Sequence, residues 1–339
     1  MEPVPLVLDV DTGVDDALAI LYALASPEVT LIAATTVMGN VDVERTTENT
    51  LALLELCGYA DVEVAKGAGR PLVRDHMAFP VVHGERGLGR AELPPATRTP
   101  SDRDAARLLV ETAREHSGEV LLVATGPLTN VALALAEEPQ LPDLLKGFAI
   151  MGGAFAQQGN VTPAAEANIW VDPEAAQAVF RGFAGVANEK LPIGVGLDVT
   201  ERVKLGRDGV NAMCAPAPDS PLASFLLDSV PFYIEFYERF GSSDGASMHD
   251  PLALAIAIDP SLARLQTTRV EVETDGTWTR GATVTDLRGI RRSPWPTGWM
   301  PEDNARVALE VDAPTFMARF TERLRSLVEA SARGHTHEG

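Results

Sequence analysis

Asp9, Asp11, Asp15 and Asp16 crowd into "VLDVDTGVDDALAI", the stretch from Val7 to Ile20, which is otherwise largely apolar. If "PLVLDV" is a strand running into a helix, Asp11 lies at the strand's carboxyl end, Gly13 makes the turn, and Asp15 and Asp16 open the helix. In open α/β sheets that edge is where ligands bind. A single aspartate there needs no function, because it satisfies free amides and complements the helix macrodipole for about 1 kcal/mol or less. Three together are different: carboxylates about 4 Å apart repel by roughly 4 kcal/mol per pair at an effective dielectric near 20. Such a cluster calls for a proton or a cation. A hard divalent ion suits an all-oxygen set, and Ca²⁺, with about six to eight ligands, leaves room for carbonyls, water and substrate hydroxyls. The absence of a Cys/His ligand set argues against zinc.

The framework that must position these groups is a β-α alternation. "PLVLDV", "VTLIAATTV", "GEVLLVAT", "GFAIMG" and "LPIGVG" read as buried strands. Between them "DDALAILYALAS", "ERTTENTLALLELCG", "DRDAARLLVETAREH", "LTNVALALAEE" and "DPEAAQAVFRGF" read as helices. The alternation predicts an α/β fold: an open, mostly parallel Rossmann-like sheet with helices on both faces. After about Thr267 the runs "TRVEVETDG", "ATVTDLRG" and "ARVALEVD" predict antiparallel edge strands, closed by a helix from about Pro314. From Lys66 to Arg98, Gly and Pro recur without periodicity, and so long a loop in a compact domain is usually functional or disordered. The 339 residues are expected to form a single domain over 1–333 with a disordered tail at 334–339, where His335 and His337 fray.

A formal net charge of −20 and a pI near 4.7 repel polyanions, and no Lys/Arg cluster marks a phosphate-tracking groove, so nucleic acid is not an expected partner. No apolar run approaches bilayer length, and the N-terminus lacks a basic region followed by an apolar one. Cys57 and Cys214 form no disulfide framework, so a cytoplasmic protein with no membrane partner is expected. Trp295 and Trp299 in "PWPTGWMPED" read as an exposed loop or a subunit contact.

"LDVDTGV" resembles the nucleophile strand of haloacid-dehalogenase-type phosphatases, in which Asp9 would attack phosphorus with Mg²⁺ assisting. Such a phosphatase also needs a separate lysine, and none of the chain's lysines (Lys66, Lys146, Lys190, Lys204) stands in a matching context. The longer match is elsewhere. "DVDTGVDDALAI" resembles the D-x-D-[PT]-G-x-D-D-A-x-A-[IL] signature of inosine-uridine-type nucleoside hydrolases. The companions follow in that family's order: Asn40 in "VMGN", His83 in "VHGERGLG", "TGPLTN" from Thr125, "MGG" from Met151, "EAN" from Glu166 and "HDP" from His249.

The resemblance implies a Ca²⁺ site held by Asp11, Asp15, Asp16, the main-chain carbonyl of Thr125, and Asp250. It implies hydrolysis of a ribonucleoside to base and ribose, as in nucleoside salvage, with Asp11 as general base toward an attacking water. His249 is implied as general acid, and its unperturbed pKa near working pH suits that role. Asn40, Asn160, Glu166 and Asn168 are implied ribose contacts, with Met151 beneath the sugar. His83, Tyr233 and Tyr237 are candidates for the base side. Where many members carry a large side chain such as Phe, this chain has Ala167. A homodimer or homotetramer is carried over from the family. The class left in competition is a nucleoside sensor that binds through the same contacts without cleavage.

Overall fold

Strands form where the apolar runs lie. A computed structural model describes residues 2–242, 244–288, 299 and 302–334. Of the expected disordered tail at 334–339, Gly334 ends a helix, while 335–339, with His335 and His337, and the expected contact at Trp295 lie outside the described residues. The first six strands are β1 (Val4–Val10), β2 (Val29–Thr36), β3 (Glu63–Lys66), β4 (Leu121–Ala124), β5 (Gly147–Met151) and β6 (Ile193–Val195). β7 (Lys204–Leu205) and β8 (Ala246–Ser247) pair with each other, as do β10 (Val270–Val272) and β11 (Thr283–Thr285). β9 (Ala263–Thr268) and β12 (Ala305–Val311) extend the main sheet, which among the described residues has eight strands in the order β3-β2-β1-β4-β5-β6-β12-β9.

The sheet is mostly parallel, as the alternation requires. β12 departs from the expected antiparallel set, since it runs parallel to β6 and antiparallel only to β9. β3 was not expected at all. Strand side chains alternate between two helical layers: Leu6, Leu8 and Val10 enter one apolar cluster and Val7 the other. The first cluster includes the almost wholly buried helix Val14–Leu24, the helix His249–Ile258 and the closing helix Ala313–Gly334, whose Phe316 and Phe320 pack on Tyr22 at 6.0 and 5.8 Å. The second is covered by helices Ala105–Glu115, Thr129–Glu137 and Pro173–Gly182. Among the described residues no helix is long and apolar enough to cross a membrane.

The strand order decides where a site can form. From β1 the chain winds outward through β2 and β3, then returns to β4 on the other side of β1 and winds the opposite way. This reversal leaves a crevice beyond the carboxyl ends of β1 and β4. Asp11 follows β1, and Thr125 follows β4.

Candidate active site

The turn between β1 and the helix Val14–Leu24 is organised around Asp16. Its Oδ1 accepts from Asp11 N–H at 3.2 Å and from the Thr125 hydroxyl at 2.7 Å, and its Oδ2 from Gly13 N–H at 2.9 Å and Asn40 Nδ2 at 3.1 Å. Asp16 thereby ties β1, β4 and the loop after β2 into one floor. Asp11 is aimed by Asn40, whose N–H donates to its Oδ2 at 2.8 Å, and Gly39 admits it closely: a Cβ there would lie 2.0 Å from that oxygen.

Asp250 reaches the same place from the first turn of the helix His249–Ile258. Asp15, Asp16 and Asp250 each bring a ligand oxygen within 4.8 Å of the others, all three residues being buried, and Asp11 stands beside them. Burial, then the neighbouring Asp16, holds Asp11 well above the ordinary carboxyl range and pushes Asp15 to about 7. Asp250 is likewise raised by burial and by Asp15. Asp15 Oδ1 is buried with no hydrogen-bond donor among the described residues. An oxygen-only, electron-rich pocket with an unpartnered buried carboxylate oxygen fits a hard divalent cation. The Thr125 carbonyl faces the crevice too, accepting from Asn168 Nδ2 at 2.6 Å with a second lone pair remaining.

The segment after β5 forms the side of the pocket. Glu166 is buried and caps the short helix Ala167–Val171, Oε1 accepting from Asn168 N–H at 2.9 Å and Oε2 from Gly153 N–H at 3.0 Å and Ile169 N–H at 3.1 Å. Its carboxylate is thus already engaged by backbone, which makes it a holder of the loop as much as an expected ribose contact. Asn168 Nδ2 also reaches Met151 O at 3.1 Å and Met151 Sδ at 3.4 Å, while Asn160 Oδ1 accepts from Ala167 N–H at 3.0 Å.

Across the crevice stand His83, Tyr233, Tyr237 and His249. The Gly-rich loop does bring His83 in: it ends the short helix Pro80–His83, is 5 % exposed, and stacks on Tyr233 at 5.3 Å. His83 Nδ1 accepts from Val14 N–H at 3.2 Å, and burial pushes the imidazole down to about 3, so its 3.8 Å approach to Asp15 is not an ion pair. His249, expected to titrate near working pH, is shifted in the same direction. Burial, then Lys204 and His83, pushes it to about 3, so the group is a neutral imidazole near pH 7 and not one poised to titrate there.

A model of the family described as inosine-uridine preferring nucleoside hydrolase matches residues 6–318. The chain belongs to that family. Among its relatives is a pyrimidine-specific ribonucleoside hydrolase of Escherichia coli, RihA, 39% identical over 323 residues that cover 95% of this chain and 98% of the relative. Solved structures that resemble it include a purine-preferring ribonucleoside hydrolase from Gardnerella vaginalis, with TM-score 0.87, 35% identity and coverage of 96% and 99% of the two chains. A plant nucleoside hydrolase matches with TM-score 0.87, 34% identity and the same coverage. The chain is therefore a hydrolase of the N-glycosidase class.

Within this nucleoside hydrolase, Asp9 is no nucleophile. It is fully buried, with Oδ1 accepting from the Thr35 hydroxyl at 2.6 Å and from Asn130 Nδ2 at 2.7 Å, and burial pushes it to about 7. That arrangement disposes of the phosphatase reading. Asn130 itself escaped sequence reasoning although it closes the quoted "TGPLTN": it also donates to Thr36 O at 2.9 Å and accepts from Ala68 N–H at 2.8 Å. His76, whose Nε2 lies 2.9 Å from Gly39 O, and Thr200, 2.7 Å from His249 Nδ1, were missed as well. Neither sits in a motif that spacing could reveal.

Proposed function

We propose that this chain hydrolyses the N-glycosidic bond of ribonucleosides to free base and ribose, with Ca²⁺ held by Asp11, Asp15, Asp16, Asp250 and the Thr125 carbonyl. The observation that carries the reading is the buried group of Asp15, Asp16 and Asp250 beside Asp11, with an unpartnered oxygen among them. When bound, the cation supplies Lewis acidity that lowers the pKa of a water and compensates the carboxylates. Asp11, oriented by Asn40 N–H, takes the proton of the attacking water. Attack on C1′ opposite the base inverts the anomeric carbon. The electron pair of the C1′–N bond leaves with the base, and the proton that meets it comes from the hydrogen-bonded pair Tyr237 and His249, whose Oη and Nε2 lie 2.7 Å apart.

Asn40, Asn160, Glu166 and Asn168 serve the ribose hydroxyls, Met151 packs beneath the sugar, and His83, Tyr233 and Tyr237 line the base side. A 5′ phosphate would meet this acidic floor, so a neutral nucleoside is the substrate and salvage the setting. The test is ribose release from inosine, uridine, adenosine and cytidine with Ca²⁺ supplied, for the wild type and Asp11→Ala. The expected result is turnover on at least one nucleoside, lowered by about a thousandfold or more in the variant while nucleoside binding survives. Binding without ribose release by the wild type would instead make the protein a nucleoside sensor.

A further inference from the structure

Four contacts run in series from the acidic floor to the far side of His249. Tyr233 Oη lies 3.1 Å from Asp15 Oδ2 and 3.3 Å from Tyr237 Oη; Tyr237 Oη lies 2.7 Å from His249 Nε2; and His249 Nδ1 lies 2.7 Å from Thr200 Oγ1. With Ca²⁺ present, as in the experiment below, the Asp15 carboxylate is ionised and only accepts, each hydroxyl brings one proton, and a singly protonated imidazole brings one. Only one assignment then puts a proton in every contact. Tyr233 donates to Asp15, Tyr237 donates to Tyr233, His249 donates from Nε2 to Tyr237, and Thr200 donates to Nδ1. The imidazole proton is fixed on Nε2, the side of the tyrosine pair.

We infer that Thr200 is a positioning residue for the departure of the base: its hydroxyl holds His249 in the Nε2–H tautomer and in the ring orientation that faces Tyr237. The fold places Thr200 firmly enough to do this. It ends the short helix Leu197–Thr200, which is anchored by Leu197 N–H to Gly153 O at 2.9 Å and by Asp198, accepting from Phe155 N–H at 2.8 Å and Ala156 N–H at 2.7 Å. The next strand, β7, pairs with β8 just before His249, with Lys204 opposite Ser247 and Met248 N–H donating to Val203 O at 3.0 Å. This small pairing zips together the segments that carry hydroxyl and imidazole. Thr200 is fully buried, so water does not replace its hydroxyl.

The inference rests on the proposed hydrolase reading, and the experiment separates the two. Wild type, Thr200→Val and Thr200→Ser are compared with Ca²⁺ present on inosine and uridine, and on p-nitrophenyl β-D-riboside, whose leaving group departs without a proton. For Thr200→Val, kcat on nucleosides falls by about tenfold to a hundredfold with KM little changed, while the aryl riboside loses far less; Thr200→Ser recovers most of the loss. Nitrogen-15 spectra of histidine-labelled protein give a readout independent of turnover, with the His249 proton on Nε2 in the wild type and displaced in Thr200→Val. Equal losses on both kinds of substrate, a Thr200→Ser variant as impaired as Thr200→Val, or a wild-type proton on Nδ1 overturns the role of Thr200. A wild-type protein inert on every riboside overturns the hydrolase reading instead, and the spectra still decide the tautomer.

Discussion

A cation should stabilise this protein far more at pH 8 than at pH 5. Asp15 stands at about 7 in the folded chain against an ordinary 3.8. The folded protein therefore holds that proton more tightly than the unfolded chain does. Its favourable contribution is complete below pH 4 and is lost as pH rises through 7. Above pH 7 the cation-free fold carries the whole penalty, about 4 kcal/mol at about 1.4 kcal/mol per pH unit. A divalent ion in the proton's place removes it. With an unfolding entropy of about 2.1 cal/mol/K per residue over 339 residues, 4 kcal/mol corresponds to a rise in Tm of about 6 °C. At pH 5 the ion must displace the proton, and its apparent affinity falls about tenfold for each pH unit below 7 per proton released. Melting curves at both pH values, with chelator and with a few fixed Ca²⁺ concentrations, test this directly. Equal shifts at the two pH values, or none at pH 8, would refute the reasoning.

Gly39→Ala should impair chemistry most, because the new Cβ would lie 2.0 Å from Asp11 Oδ2 and must turn that carboxylate aside. The expected loss is about a hundredfold in kcat with a fall in Tm of a few degrees, since Asp11 Cγ and Cβ are also approached to 2.8 and 2.9 Å, read by ribose release and circular dichroism. Asn130→Ala removes donors to Asp9 and Thr36 and the acceptor for Ala68 N–H, leaving buried groups unpaired. It should cost about 2–3 kcal/mol, a fall in Tm of about 3–4 °C by calorimetry.

Much of the architecture was legible because parallel strands buried on both faces are continuous apolar runs, and the first aspartates could be placed at a sheet edge from "PLVLDV" alone. β3 was not, since "EVAK" is four residues long and runs into a Gly/Pro segment. The direction of β12 was not either: an alternating strand reads the same whether its neighbour is parallel β6 or antiparallel β9. In the site, the acidic residues and His249 were found through motif order, but the low pKa of His249 depends on packing against distant segments. Thr200 and Asn130 act through partners 49 and 121 residues away, a relation that no local spacing encodes.

The floor and the roof of the crevice belong to different parts of the chain. Asp11, Asp16 and Thr125 are fastened to central strands by a closed set of bonds, whereas His83 rides a connecting loop and Tyr233 and Tyr237 ride the long helix Pro221–Arg239. The two are tied at two points, His83 Nδ1 accepting from Val14 N–H at 3.2 Å and Tyr233 Oη donating to Asp15 Oδ2 at 3.1 Å, so a shift of the roof is felt at the floor. Relatives whose names differ in the base they prefer share this scaffold, and on the proposed reading a base preference in this chain is set where roof and floor meet.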